Sequence, residues 1–132
     1  MSQRLGFITF LVRDYDEAIA FFVQTLRFEL LQDEPLGQDG KRWVRVAPAG
    51  AKGTALLLAR AATAEQQKYI GAQGGGRVFL FLQTDNFSQD YEGMKSRGVK
   101  FLEEPRAELY GRVVVFADLY GNKWDLLETR PD

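Results

Sequence analysis

One pattern of local sequence occurs twice in the 132 residues, and this repeat constrains the fold more than any other feature. The segment LRFELLQDEP at 26–35 resembles RGVKFLEEP at 97–105, and each follows a stretch with helical spacing of apolar residues. A copy of about 60 residues buries too little surface to be secure alone, so the copies should pack together or against a second chain. The sequence therefore predicts a single domain over 1–132, built from two similar modules.

The first module, about residues 4–60, has the pattern of a strand, a helix and three further strands. Residues 5–13 (LGFITFLVR) form an apolar run rich in β-branched and aromatic types, which is typical of a strand. Asp14, followed three residues later by Glu17, forms a capping box that predicts a helix of about 13 residues. Three extended segments follow, separated by glycine and proline, near 28–35, 41–47 and 53–60.

The second module, about residues 77–130, repeats this order after a linker at about 61–76. The linker is rich in Ala, Gln and Gly and has room for one helical turn. Residues 77–84 (RVFLFLQT) predict a strand, and Asn86 with Gln89 forms a second capping box. Three more strands are predicted near 99–104, 111–118 and 123–128.

The composition excludes several classes of function. Basic and acidic residues number 17 and 18 and are interleaved, so the chain has no charged surface suited to nucleic acid or an anionic membrane. No apolar run reaches the roughly 20 residues that span a bilayer, and we expect a cytoplasmic protein. The chain has neither cysteine nor histidine, which removes thiolate chemistry and the commonest metal ligands.

Three phrases of the sequence resemble the glyoxalase, bleomycin-resistance and dioxygenase superfamily, also called the vicinal oxygen chelate proteins. They are TFLVRDYDEAIAFF, RVFLFLQTDNF and VVVFADLYGNKWDLLE, in that order along the chain. The resemblance implies an α+β fold of two βαβββ modules that form a half-barrel cleft. It is weaker as a guide to activity, because one fold hosts many chemistries.

Enzymes of this superfamily hold a divalent metal at four strand positions, which align here with Phe7, Leu57, Arg77 and Asp125. Only Asp125 could bind a metal, and one carboxylate beside an arginine is too few donors for a catalytic site. We therefore expect neither a metal nor another cofactor. The bleomycin-resistance type, which sequesters a ligand in its cleft, is the better analogue.

Strand alternation predicts which side chains line such a cleft. The residues placed there are Phe7, Thr9, Leu57, Arg77, Phe79, Phe81 and Asp125, with Trp43 and Tyr110 at its mouth. Arg77 is expected to bind an oxygen of the ligand, while the phenylalanines contact its apolar part. In the alternative interpretation, the aromatic residues fill a core and Arg77 forms a structural ion pair with Asp125.

The sequence is consistent with three classes of function. The favoured one is a metal-free homodimer that captures a small, partly apolar molecule, neutral or anionic. The second is a lyase, isomerase or dioxygenase-type enzyme with an atypical site. It is either metal-independent, with Asp125 as base and Arg77 as electrostatic stabiliser, or uses a metal through unforeseen ligands. The lack of histidine disfavours an enzyme. An accessory subunit with a closed cleft is the third.

Overall fold

A computed structural model describes residues 2–50 and 53–129 of the chain. The chain divides into two compact units, Met1–Ile70 and Gly71–Asp132, and the division falls within the predicted linker. Of the helices in the described residues, none combines the length and apolar character needed to cross a membrane.

Unit 1 has the predicted order of a strand, a helix and three strands. Its elements are β1 (Phe7–Val12), α1 (Tyr15–Ala20), a π-helical turn (Phe21–Thr25), β2 (Phe28–Pro35), β3 (Arg42–Pro48), β4 (Ala55–Arg60) and the short α2 (Ala64–Gln67). The sheet order is β1-β4-β3-β2, with β1 parallel to β4 and the other pairs antiparallel. Helix α2 is the single helical turn for which the linker has room.

Unit 2 repeats this topology. Its elements are β5 (Val78–Gln83), α3 (Phe87–Ser96), β6 (Lys100–Phe101), β7 (Arg106–Glu108), β8 (Gly111–Ala117) and β9 (Lys123–Thr129). The sheet order is β5-β9-β8-β6, and β7 pairs with β8 beyond the end of β6. The prediction of a fold from two βαβββ modules is confirmed.

Both predicted helix starts are confirmed by their capping hydrogen bonds. The Glu17 backbone N–H donates to the Asp14 carboxylate at 2.8 Å, and the Gln89 backbone N–H donates to Asn86 Oδ1 at 3.2 Å. Each bond satisfies one of the amide groups that the first turn of a helix leaves without a partner.

The helix-facing side of each sheet is the core of its unit. In unit 1, Phe10 is fully buried and meets Phe22 of the π-helical turn edge to face, with ring centroids 5.3 Å apart. In unit 2, Phe116 is fully buried and stacks on Trp124 with centroids 5.6 Å apart. Because side chains alternate along a strand, burying Trp124 against the helix turns its neighbour Asp125 to the opposite face.

The predicted strand at 99–104 is wrong in its extent, because two short strands, β6 and β7, take its place. Between them, the Glu103 carboxylate accepts a hydrogen bond from the Val115 backbone N–H at 3.0 Å. A side chain thus satisfies a donor on β8 that a continuous partner strand would have satisfied, and Pro105, which lacks an N–H, follows directly.

Candidate functional site

The helix-free face of the unit 2 sheet contains an open hollow of about 460 Å³, lined by Arg77, Val78, Phe81 and Asp125. Asp125 is at its base on β9, paired in register with Phe81 of β5 on one side and Val115 of β8 on the other. A second hollow of about 280 Å³ shares Val78 with the first and is also lined by Gly76, Leu102, Glu103, Val115 and Lys123. The volume of the first hollow is within the usual range of small-molecule sites, and that of the second is slightly below this range.

Asp125 is a buried carboxylate with an unsatisfied oxygen. Its side chain is 8% exposed, and Oδ1 has no hydrogen-bond partner among the residues that the structure describes. Burial raises the pKa of the Asp125 carboxyl above its usual range; the charge of Arg106 lowers this pKa, and that of Glu103 raises it. Such a group favours a proton, a cation or another hydrogen-bond donor close to it.

Arg106, which was not among the predicted site residues, is the cation that acts most strongly on Asp125. Its Nε donates to both oxygens of Glu103 at 3.0 Å, and its Nη1 donates to Glu108. The pKa of Arg106 is raised, chiefly by these two carboxylates, with a further contribution from Tyr110. Arg106 follows the repeated phrase that ends at Pro105, and no local signal relates it to Asp125, 19 residues later in sequence.

The predicted ion pair between Arg77 and Asp125 is wrong. The salt bridges among residues 2–50 and 53–129 do not include it, and Arg77 is exposed. Arg77 comes directly before β5, which begins at Val78 opposite Lys123, whereas Phe81 is the residue paired with Asp125. Arg77 and Asp125 therefore line one hollow from different positions along the strands.

Phe79 is not among the residues that line the hollow, and β5 contains a bulge at this residue. Val78 pairs with Lys123 and Leu80 with Trp124, which leaves Phe79 as an extra residue on β5. Val78 consequently lines the hollow where strict alternation places Phe79. Phe81 does share the face of Asp125, and its ring is 60% exposed. Tyr110, in the turn between β7 and β8, is half exposed and lies beside Arg106.

The remaining predicted residues lie together on the helix-free face of the unit 1 sheet. Thr9 of β1 is exposed and pairs with the partly buried Leu57 of β4. Phe7 is 45% exposed and meets Trp43 of β3 edge to face, with ring centroids 5.8 Å apart. The Arg45 guanidinium lies 5.7 Å from the centre of the Phe7 ring. This surface combines two aromatic rings with a cation.

The side chains present do not fit a divalent metal. Phe7 and Leu57 in unit 1 have no donor atoms, and in unit 2 the nearest in-register neighbours of Asp125 are Phe81 and Val115. Within the described part of the chain, no three His, Cys, Asp or Glu side chains are grouped so that they could hold a metal ion. Asp125, the one carboxylate at a position that aligns with a family metal ligand, also lies in the field of the positively charged Arg106, which opposes a second cation.

Comparisons with known proteins agree with this architecture. The chain is 52% identical to a protein of Shewanella frigidimarina (strain NCIMB 400), over 97% of this chain and 95% of that protein. Among solved structures, UcmS2 is 29% identical with a TM-score of 0.82, covering 96% of this chain and 98% of the other. TnmS3, an antibiotic binding protein from Streptomyces sp. CB03234, is 32% identical with a TM-score of 0.76, covering 98% of each chain.

A sequence model of one family matches nearly the whole chain, from residue 4 to residue 126. This match, together with the paired βαβββ topology, confirms the resemblance found in the sequence. The chain belongs to the Glyoxalase/Bleomycin resistance protein/Dioxygenase superfamily.

Proposed function

We propose that this protein binds a small, partly aromatic molecule in the unit 2 hollow without the help of a metal, as a sequestering protein of the bleomycin-resistance type. The observation that carries the proposal is Phe81, whose ring is 60% exposed directly across the strand pair from the buried Asp125. An exposed aromatic ring beside a desolvated polar group is the usual composition of a small-molecule site. The similarity to TnmS3, an antibiotic binding protein, supports this class of function.

Arg77 supplies a second polar contact in this proposal. Its guanidinium lines the hollow and, among the described residues, has no ion pair with a carboxylate. A planar group with five donors suits a carbonyl, carboxylate or phosphate oxygen of the ligand. Replacing Arg77 by Met keeps most of the side-chain volume and should weaken binding by about 1.5–3 kcal/mol. Unchanged affinity in a folded variant would remove Arg77 from the site.

The helix-free face of the unit 1 sheet also has side chains suited to an aromatic ligand. Phe7 and Trp43 offer ring edges and faces, and Thr9 adds a hydroxyl group beside Leu57. We propose that this face also takes the apolar part of a ligand. Replacing Trp43 by Leu should lower affinity while leaving the core intact, because Trp43 lies on the face away from the helix.

We further propose that the protein is a homodimer. Strand β2 is an edge of the unit 1 sheet, and its Leu30 and Leu31 are 43% and 44% exposed. Apolar side chains on an exposed edge strand favour a partner surface. Light scattering should give twice the mass of the chain, and a stable mass equal to one chain would contradict the dimer.

The binding function is tested by thermal unfolding in the presence of a library of antibiotics and metabolites that includes bleomycin and planar polycyclic aromatic compounds. A ligand at 100 times its dissociation constant should stabilise the fold by about 2.7 kcal/mol. Phe81→Ala should reduce the effect of a true ligand, whereas Leu109→Ala, a change at a nearly fully exposed position, is the matched control. A library without a single stabilising compound would contradict the proposal.

An enzymatic function is the second candidate, and one observation favours it. Burial raises the pKa of Asp125, which moves this carboxyl toward the range in which a general base is effective. A metal-independent lyase or isomerase that uses Asp125 as base would fit this environment. Turnover of a library ligand by the parent protein, and its loss in Asp125→Asn, would favour this candidate over sequestration.

A further inference from the structure

We propose that the unit 2 hollow recognises a protonated amine on its ligand, which Asp125 binds as a carboxylate and Phe81 covers with its ring. This inference rests on the proposed binding function and adds the chemical class of the group that enters the hollow. It concerns the part of the hollow that is formed by Asp125 and Phe81. Arg77 lines the same hollow from the position directly before Val78, the first residue of β5.

The first feature of the amine site is the unsatisfied oxygen of Asp125. Asp125 is more than nine-tenths buried, and its Oδ1 has no hydrogen-bond partner within the described residues. Buried carboxylate oxygens are normally paired, because a desolvated acceptor without a donor costs free energy. In the same unit, Asp118 is buried to a similar extent, but its two oxygens accept from Asn122 and from Trp124 Nε1 at 2.9–3.1 Å.

The second feature is the set of charges around Asp125. Arg106 is bonded to Glu103 and Glu108, so its single positive charge already faces two carboxylates. Adding Asp125 gives three carboxylates around one guanidinium, and the other two cations that line the hollows are Arg77 and Lys123. Lys123, on the same face, donates its Nζ to the Gly76 carbonyl at 3.1 Å. Among the described residues no cation forms a salt bridge with Asp125, so a cation of the ligand would be its ionic partner.

The third feature is the aromatic surface of Phe81. Phe81 pairs in register with Asp125, and most of its ring surface is open to the hollow and to solvent. The face of an aromatic ring attracts a cation within about 6 Å of its centre, so Phe81 and Asp125 together form a two-sided amine site. Arg77 would oppose a cation, but its side chain is exposed, and solvent and salt screen its charge.

An anionic group at this end of the hollow is disfavoured by the same residues. It would lie beside Asp125 and Glu103, and Arg106, the cation that acts on Asp125, is already occupied by two carboxylates. An oxygen acceptor of the ligand is better placed toward Arg77. The expected ligand is therefore an aromatic compound that carries an amine, with any carbonyl or carboxylate oriented away from Asp125.

The test uses three probes with one ring system and different charges: naphthylmethylamine, naphthalenemethanol and naphthoate. Their dissociation constants are measured by NMR titration of the full chain at neutral pH, for the parent, for Asp125→Asn and for the exposed-site control Glu104→Gln. Thermal unfolding of each variant confirms that it is folded. We expect the amine to bind about 10-fold more tightly than the alcohol, because a charge-assisted hydrogen bond is stronger than a neutral one.

The preference for the amine should disappear in Asp125→Asn and persist in Glu104→Gln. If the alcohol binds the parent as tightly as the amine, or if the ratio of amine to naphthoate affinity is the same in the parent and in Asp125→Asn, the amine site is refuted while the binding function stands. If Asp125→Asn keeps the preference, Asp125 is not the acceptor and the inference fails. If none of the three probes binds at millimolar concentration, the inference fails as well, and the library screen decides separately whether the protein binds small molecules.

Discussion

Replacing Asp125 by Asn should stabilise the folded protein at neutral pH, although Asp125 is proposed to bind the ligand. In the free protein this residue is 8% exposed and lies beside the Glu103–Arg106 pair. Its Oδ1 has no hydrogen-bond partner among the described residues. Asparagine preserves the shape of the side chain and removes the charge that burial disfavours. A residue retained at a cost in stability is typical of a binding site.

The magnitude follows from the unsatisfied acceptor. A buried polar group without a partner costs about 1–3 kcal/mol and a charged one costs more, so replacing the carboxylate by the neutral amide of Asn should gain about 1 kcal/mol. For a chain of this length, that gain corresponds to a rise in Tm of about 3–5 °C. Arg106 does not lose its partners in the variant, because Glu103 and Glu108 hold it.

The gain should depend on pH in a defined direction. The pKa of Asp125 is raised above its ordinary value of 3.8 in the folded state, so the folded state holds the proton more tightly than the unfolded chain does. The parent therefore loses stability relative to Asp125→Asn as the pH rises from 3.8 through the raised pKa. Below that window both side chains are neutral, and the advantage of the variant should be smallest there.

Denaturant unfolding of both proteins from about pH 3.5 to about pH 7.5 measures this difference directly. Glu104→Gln is the control, because it removes an exposed carboxylate from the same unit and should show no comparable gain. The explanation is refuted if Asp125→Asn is less stable than the parent at pH 7.5, or if its advantage does not grow with pH.

Two further predictions concern backbone positions. Gly111→Ala should abolish stable folding or cost several kcal/mol, since a Cβ there would lie 2.1 Å from the Glu128 carbonyl oxygen. Gly6→Ala is the control, because no atom lies within 4 Å of a Cβ added there. Thermal unfolding of both variants is followed by circular dichroism. Arg27 has a left-handed φ of +64° at the position in the repeat where the second module has Gly98. Arg27→Gly should therefore raise the free energy of unfolding by up to about 1 kcal/mol, measured with denaturant. A loss of stability would contradict this prediction.

The parts of the fold that local sequence determines could be predicted. Asp14 and Asn86 cap their helices as predicted, because a capping box requires only residues three positions apart. Alternation along β9 also placed Trp124 in the core and Asp125 on the opposite face. These features depend on periodicity, which is present in the sequence itself.

The parts that depend on pairing between distant segments could not be predicted. The extra residue Phe79 in β5 is defined only by its register with β9, and it moves Val78 onto the face of the hollow. The influence of Arg106 on Asp125 depends on how β7 pairs with β8. Both concern the candidate site, so the composition of the hollow differs from the prediction more than the fold does.

The most direct test of metal-free binding is a calorimetric titration of the strongest library ligand into the parent protein, with and without EDTA, and into Phe81→Ala. The account predicts equal affinity with and without EDTA, and a loss of about 1 kcal/mol or more in Phe81→Ala, because the ring supplies part of the contact surface. Binding that disappears with EDTA and returns on addition of a divalent ion would contradict it, as would full affinity in Phe81→Ala.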